Sequence, residues 1–254
     1  MTLTLVDYII IVGGGFLAGV INTLAGFGSI ITLTLLMEVM GLPGIIANAT
    51  NRVNIGMMNA SSTFSFYTNG KLKLKGTSIF LVALVIGAII GLILVSQVSN
   101  EQFREIFKYL LILFIPIILF KPSRLINSDD AIFSLPKPII LILFFLAGLY
   151  GGFIQMGIGV FILLLTVSIT KLDLIESNAF KVASIGVYTL VAIIVFQLQG
   201  LIVWKAGLLI GVAQALGGYV TAKFASINSN ANKWAYRMLI VVLVLAILRI
   251  FEVF

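Results

Sequence analysis

Two cations stand where an apolar chain rarely carries them. Arg52 lies about eight residues inside the segment 44–68, or roughly 12 Å along a helix. Lys181 lies nearer the start of the segment 175–199. No carboxylate stands near the middle of any apolar segment. Asp7, Glu38, Asp173, Glu176 and Glu252 sit near segment ends, and the other four acidic residues lie in or beside loops. Two deep positive charges without an acid imply an anionic ligand. A guanidinium offers a planar fork for carboxylate, sulfonate or phosphate oxygens. An ionisable residue at such depth in a membrane segment is a candidate functional group. The competing account is a long side chain snorkelling to the helix end.

Other chemistry is scarce. The chain has no His and no Cys. That removes His-based acid–base catalysis, Cys-His and Ser-His-Asp nucleophiles, Cys/His zinc sites and disulfides. One catalytic pairing remains. Ser184 and Lys181 are three apart and share a helix face, as a Ser-Lys dyad would require. No cofactor and no metal is expected.

The elements that must hold these residues are membrane helices. Of the 254 residues, 61% are hydrophobic and 10% charged. A soluble domain would be nearer 45–50% apolar and about 25% charged. The net charge of +7, from 16 Lys+Arg against 9 Asp+Glu, fits cytoplasmic loops better than nucleic-acid binding. The first residues carry no positive n-region, so the N-terminal apolar stretch is expected to be retained rather than cleaved. Apolar segments run over 8–41, 44–68, 77–97, 103–121, 138–170, 175–199, 203–222 and 234–253. A crossing needs about 20 residues. Segments 8–41 and 138–170 are too long for one crossing, and glycines interrupt both near the middle. Gly26-Phe27-Gly28-Ser29 and Gln155-Met156-Gly157-Ile158-Gly159 read as unwound hairpin tips. Such tips would offer backbone N–H groups and positive half-helix ends to an anion. Close helix packing is their other use, and it explains Gly87-x-x-x-Gly91 and Gly207-x-x-x-Gly211.

The chain also repeats itself. A shift of 130 residues places Asn48-Ala49 on Asn178-Ala179, Ile55-Gly56 on Ile185-Gly186, Gly70 on Gly200 and Gly87 on Gly217. Phe16-Leu17-Ala18-Gly19 recurs as Phe145-Leu146-Ala147-Gly148. Loop charge orients the halves. With each long segment a single crossing, Lys and Arg divide eight to seven between the two sides. With each a hairpin they divide eleven to four. The positive-inside rule favours the hairpins. Each half then has five membrane elements, an odd number, so the halves are inverted, and both termini face outside.

Segment 44–68 carries Asn48, Thr50, Asn51, Arg52, Asn54, Asn59, Ser61, Ser62, Thr63 and Ser65. Such a helix cannot face lipid, because polar groups left unsatisfied in hydrocarbon are costly. Its repeat mate carries Asn178, Lys181, Ser184, Tyr188, Thr189 and Gln197. Gln214, among Gly211, Gly217 and Gly218, lines a cavity or bridges helices.

These residues resemble the sulfite exporter TauE/SafE family over nearly the whole chain. The resemblance rests on Ala18-Gly19-Val20-Ile21-Asn22-Thr23-Leu24-Ala25-Gly26-Phe27-Gly28-Ser29, which looks like the family's glycine-rich first segment. It rests also on Ala49-Thr50-Asn51-Arg52, similar to the family's Ala-Thr-Asn-Lys/Arg signature. The second half adds Asn178-Ala179-Phe180-Lys181 and Gly211-Val212-Ala213-Gln214-Ala215-Leu216-Gly217-Gly218. The resemblance implies export of sulfite or small organosulfonates such as sulfoacetate, and puts Arg52 and Lys181 in signature positions. Asn22 and Gly151 stand where a similar branch carries acids, which argues against carboxylate-mediated proton coupling here.

The expected protein is thus all-α and multi-pass, in the inner (plasma) membrane, with 8–10 transmembrane segments in two inverted repeats. Each repeat opens with a glycine-broken hairpin. Residues 1–121 form the first repeat, 122–137 the connecting loop and 138–254 the second repeat. The expected function is export of a small sulfur-containing anion through a positive pocket at the repeat interface. The expected ligands are Arg52, Lys181, Asn51, Asn22, Gly26, Gly28, Ser29, Gln155, Gly157, Asn178, Ser184 and Gln214. A channel, a scaffold subunit and a membrane-embedded Ser-Lys hydrolase are the alternatives. The partners are the anion, the bilayer and, as an option, a second copy of the chain, with no nucleic acid.

Overall fold

A computed structural model describes residues 4–73, 77–119, 136–170 and 172–228. The last apolar segment, residues 122–135 of the inter-repeat loop and the cations Lys75, Lys121, Arg124, Lys171, Lys233, Arg237 and Arg249 lie outside them. The described residues are helical, without strands. α1 spans Leu5–Ala25, and α2 spans Gly28–Thr34 and runs on into a wider π turn at Leu35–Val39. α3 (Gly44–Thr68), α4 (Ser78–Val95) and α5 (Asn100–Leu119) follow. The second half has α6 (Lys137–Phe153), α7 (Ile158–Ile169), α8 (Leu174–Leu198) and α9 (Trp204–Ile227). Four of these, α1, α4, α8 and α9, are long and apolar enough to cross a membrane by length and composition.

Both long segments break at their glycines. Gly26 adopts φ 78°, a left-handed conformation open to glycine, and caps α1 by bonding back to Asn22 and Ile21. The chain then reverses. A Cβ on Gly28 would run into the Ala18 carbonyl, and one on Gly14 would touch Leu35, so α2 folds back along α1. In the second half Gly157, at φ 70°, starts α7 after the extended residue Ile154 ends α6. The two breaks abut: a Cβ on Gly26 would lie 2.6 Å from the Gly159 Cα. Only glycine at both positions permits that approach.

Equivalent helices pack reciprocally. Gly19 of α1 sits on the backbone of Gln214 and Gly218 in α9, and Gly217 of α9 sits on Phe16. In the other half Gly148 of α6 sits on Leu84 of α4, and Gly87 of α4 sits on Phe145 and Leu149. The second set is the first shifted by 129 or 130 residues, with the halves exchanged. Along each pair the contacts advance together, so α1 runs parallel to α9 and α4 parallel to α6. By contrast α3 and α8 run antiparallel. Lys73, just past the end of α3, forms an ion pair with Glu176 in the first turn of α8. Val203, just past the end of α8, donates to Thr50 near the start of α3 at 3.0 Å. The Glu176 carboxylate holds the Lys73 ammonium above its ordinary pKa. On the alkaline side a raised lysine value means the pair's contribution is fully present up to the ordinary lysine range near 10.4 and is lost as pH rises through the raised value.

Polarity is distributed inside out. Outward faces are apolar: Val82, Ile86 and Ile93 on α4, Ile142 and Leu146 on α6, Leu190 and Ile194 on α8, and Val212, Leu216 and Val220 on α9 are all exposed. The interior holds Asn48, Thr50, Asn51, Arg52, Asn54, Asn59, Ser62 and Ser65 of α3, all fully buried. Continuous apolar faces around a polar centre suit a hydrocarbon surround.

Candidate functional site

Arg52 and Lys181 are both fully buried, and among the described residues neither pairs with a carboxylate. Each instead holds the end of a broken helix from the opposite half. Arg52 donates through Nη1 to the Gly151 carbonyl at 2.7 Å and through Nη2 to the Gly152 carbonyl at 2.8 Å. Asn48, one turn earlier on α3, donates to the next carbonyl, Phe153, at 3.1 Å. The last carbonyls of a helix have no partner within it and carry its negative dipole end. One face of α3 thus covers three consecutive carbonyls of α6. Lys181 does the same from α8. Its Nζ donates to the carbonyls of Thr23 at 2.8 Å and Asn22 at 3.2 Å, and to Asn178 Oδ1 at 2.7 Å. Asn22 and Thr23 shift by 129 onto Gly151 and Gly152, so the two clamps are one device used twice with the halves exchanged.

Gln155 extends the first clamp. Its Oε1 accepts from Arg52 at 3.1 Å and its Nε2 donates to Thr189 at 2.9 Å. Phe196 lies under the guanidinium at 5.9 Å. Beside the second clamp, Asn22 Oδ1 accepts from the Gly28 N–H at 3.1 Å and caps the start of α2. An acid at position 22 would accept the same bond. At Gly151 a side chain would meet Tyr188 Oη within 2.9 Å, so Tyr188 fills the space that an acid would need.

The remaining expected ligands fall into three groups. Asn178 belongs to the Lys181 clamp. Asn51, Asn54 and Gln214 form an amide chain: Asn54 lies 3.1 Å from Asn51 and 2.8 Å from Gln214, and Thr32 donates to Asn51 Oδ1 at 2.6 Å. Gln214 therefore bridges α9 to α3. Gly26, Gly28, Ser29 and Gly157 line the two breaks and are all buried. Ser184 is buried, and its hydroxyl has no partner among the described residues. It does not pair with Lys181, whose three donors are spent on oxygens, so the dyad geometry is not assembled.

Sequence reasoning missed the carbonyls that the two cations hold, and with them the part of Asn48. The available signal was the pair Gly151-Gly152 ahead of a break, a common way to end a helix.

A bundle of apolar-faced helices with two broken hairpins crossing over buried cations defines a class, the helical membrane transporters with discontinuous helices. Within that class the chain belongs to the sulfite exporter TauE/SafE family, which it matches over residues 11–250. It is 29% identical over 211 residues to a probable membrane transporter protein, ORF9, of Sinorhizobium sp, covering 83% of this chain and 80% of that one. It is 26% identical over 226 residues to the probable membrane transporter protein YfcA of Escherichia coli (strain K12), covering 89% and 82%. A probable membrane transporter protein of Haemophilus influenzae is 26% identical over 211 residues, covering 82% and 81%. No solved structure matches.

Proposed function

We propose that this protein is a secondary carrier that exports a small sulfur-containing anion, sulfite or an organosulfonate such as sulfoacetate. It would do so as a multi-pass protein of the inner membrane, built from inverted repeats 1–121 and 138–254 joined by 122–137. The observation that carries the reading is the pair of buried cations, Arg52 and Lys181, without a carboxylate partner among the described residues. Carbonyl dipoles neutralise them only in part, so an anion arriving between the halves gains the remaining field. The family's description supports the sulfur anion. The antiparallel α3 and α8 and the exchanged clamps support inversion.

Export needs no proton coupling. A potential of 100 mV is worth about 2.3 kcal/mol per charge. A dianion leaving an inside-negative cell gains roughly twice that, on the order of a thousandfold in concentration ratio.

The test is thermal stability of the detergent-purified protein against sulfite, sulfate, sulfoacetate, taurine and acetate. A ligand at 100 times its Kd stabilises by about 2.7 kcal/mol. A sulfur anion is expected to raise the melting temperature and acetate to leave it unchanged. Saturable, potential-driven efflux of that anion from proteoliposomes completes the test. Flux that never saturates would point to a channel, and no anion response at all would sink the carrier.

A further inference from the structure

Asn59 is fully buried, and it is the one buried side-chain amide among the described residues with neither donor nor acceptor partnered. It lies on α3 seven residues, or two turns, beyond Arg52, and so on the same face. That face meets α8: a Cβ on Gly186 would lie 3.4 Å from the Asn59 Cβ. Three residues beyond Asn59 on α3, Ser62 lies 3.2 Å from Thr23, whose carbonyl Lys181 holds. Asn59 therefore sits between the levels of the two clamps. On the α8 side, Ser184 is one turn from Lys181, and its buried hydroxyl is also unpaired. Arg52 Nε is unpaired as well.

An unpaired amide in a membrane interior is destabilising, and a fold that needed only packing there would carry Leu. A buried polar group without a partner calls for an explanation, and a site completed by something bound is one. We propose that Asn59 is a binding and specificity residue for the transported anion, placed between Arg52 and Lys181. This rests on the carrier reading above and adds the ligand's chemistry. Asn59 Nδ2 donates to an oxyanion oxygen. Asn59 Oδ1 needs a donor, so the site favours an anion that carries a hydroxyl or amino group of its own.

The probes are 2-hydroxyethanesulfonate and ethanesulfonate, which share a sulfonate and differ by one hydroxyl. Their Kd values are measured on detergent-purified wild type and Asn59→Leu, with the melting temperature of each protein without ligand. Wild type is expected to prefer the hydroxylated probe about tenfold, one hydrogen bond's worth. Asn59→Leu is expected to bind both more weakly and about equally, while melting no lower than wild type. A preference that survives Asn59→Leu, or a variant that melts lower yet binds as wild type does, overturns the proposal. It would then be an ordered water or a packing contact that Asn59 serves. Should Asn59→Leu fail to fold, Asn59→Ala carries the comparison, and failure of both overturns the proposal as well. Wild type that binds sulfite but shows no preference between the probes overturns only this inference. Wild type that binds no sulfur anion overturns the carrier reading too.

Discussion

At the scale of single residues, burial turns Arg52 and Lys181 into structural groups before any ligand arrives. Removing Arg52 strands the Gly151 and Gly152 carbonyls, and removing Lys181 strands that of Thr23, while the Asn22 carbonyl keeps the Gly26 N–H. Each stranded carbonyl costs about 1–3 kcal/mol. Lys181→Met leaves the Asn22 and Thr23 carbonyls with one partner fewer, so the unliganded protein is expected to melt several degrees lower. Arg52→Lys keeps the charge but cannot fork onto two carbonyls, and is expected to fall between wild type and Arg52→Met. Thermal unfolding in detergent reads both. A Lys181→Met protein as stable as wild type would mean the clamp does not hold α1. The depth and type of these two residues were legible in the sequence. Their partners were not, because backbone carbonyls have no residue identity to read.

At the scale of elements, the glycines of α1, α4, α6 and α9 set how closely the helices cross. Gly19 and Gly148 occupy equivalent places in the two reciprocal pairs, each against a carbonyl of the neighbouring helix. A side chain there forces the backbones apart, and overpacking of this kind costs about 1–3 kcal/mol or more. Gly19→Val and Gly148→Val are therefore expected to lower folded yield to a similar degree. Gly13→Val is expected to be tolerated, since no described residue lies within 4 Å of a Cβ there. Size-exclusion profiles of the three variants check the ranking. A tolerated Gly148→Val beside a lethal Gly19→Val would break the equivalence of the pairs. The helix limits themselves follow the sequence closely: segment 44–68 is α3 residue for residue, and both glycine breaks fall where the glycines stand.

At the scale of the whole molecule, orientation is the open quantity, and the absence of native cysteine makes it measurable. Asn69 follows α3 and Ser99 follows α4, so single cysteines there should react with a membrane-impermeant thiol reagent from opposite faces. Gly200→Cys should react from the Ser99 face, because α8 runs antiparallel to α3. Labelling of Asn69→Cys and Gly200→Cys from one face would exclude inversion. The sequence alone determined the class of molecule. Its apolar content, its glycine-interrupted segments, its 130-residue repeat and its lone deep cations are properties of composition and spacing, and all can be read along the chain. Only the tertiary structure decided what those cations touch and which halves exchange contacts. Gly26 meeting Gly159, Arg52 reaching Gly151 and Lys181 reaching Thr23 join residues 99 to 158 positions apart. Pairings of that span come from packing the two halves against each other, and no periodicity within either half encodes them.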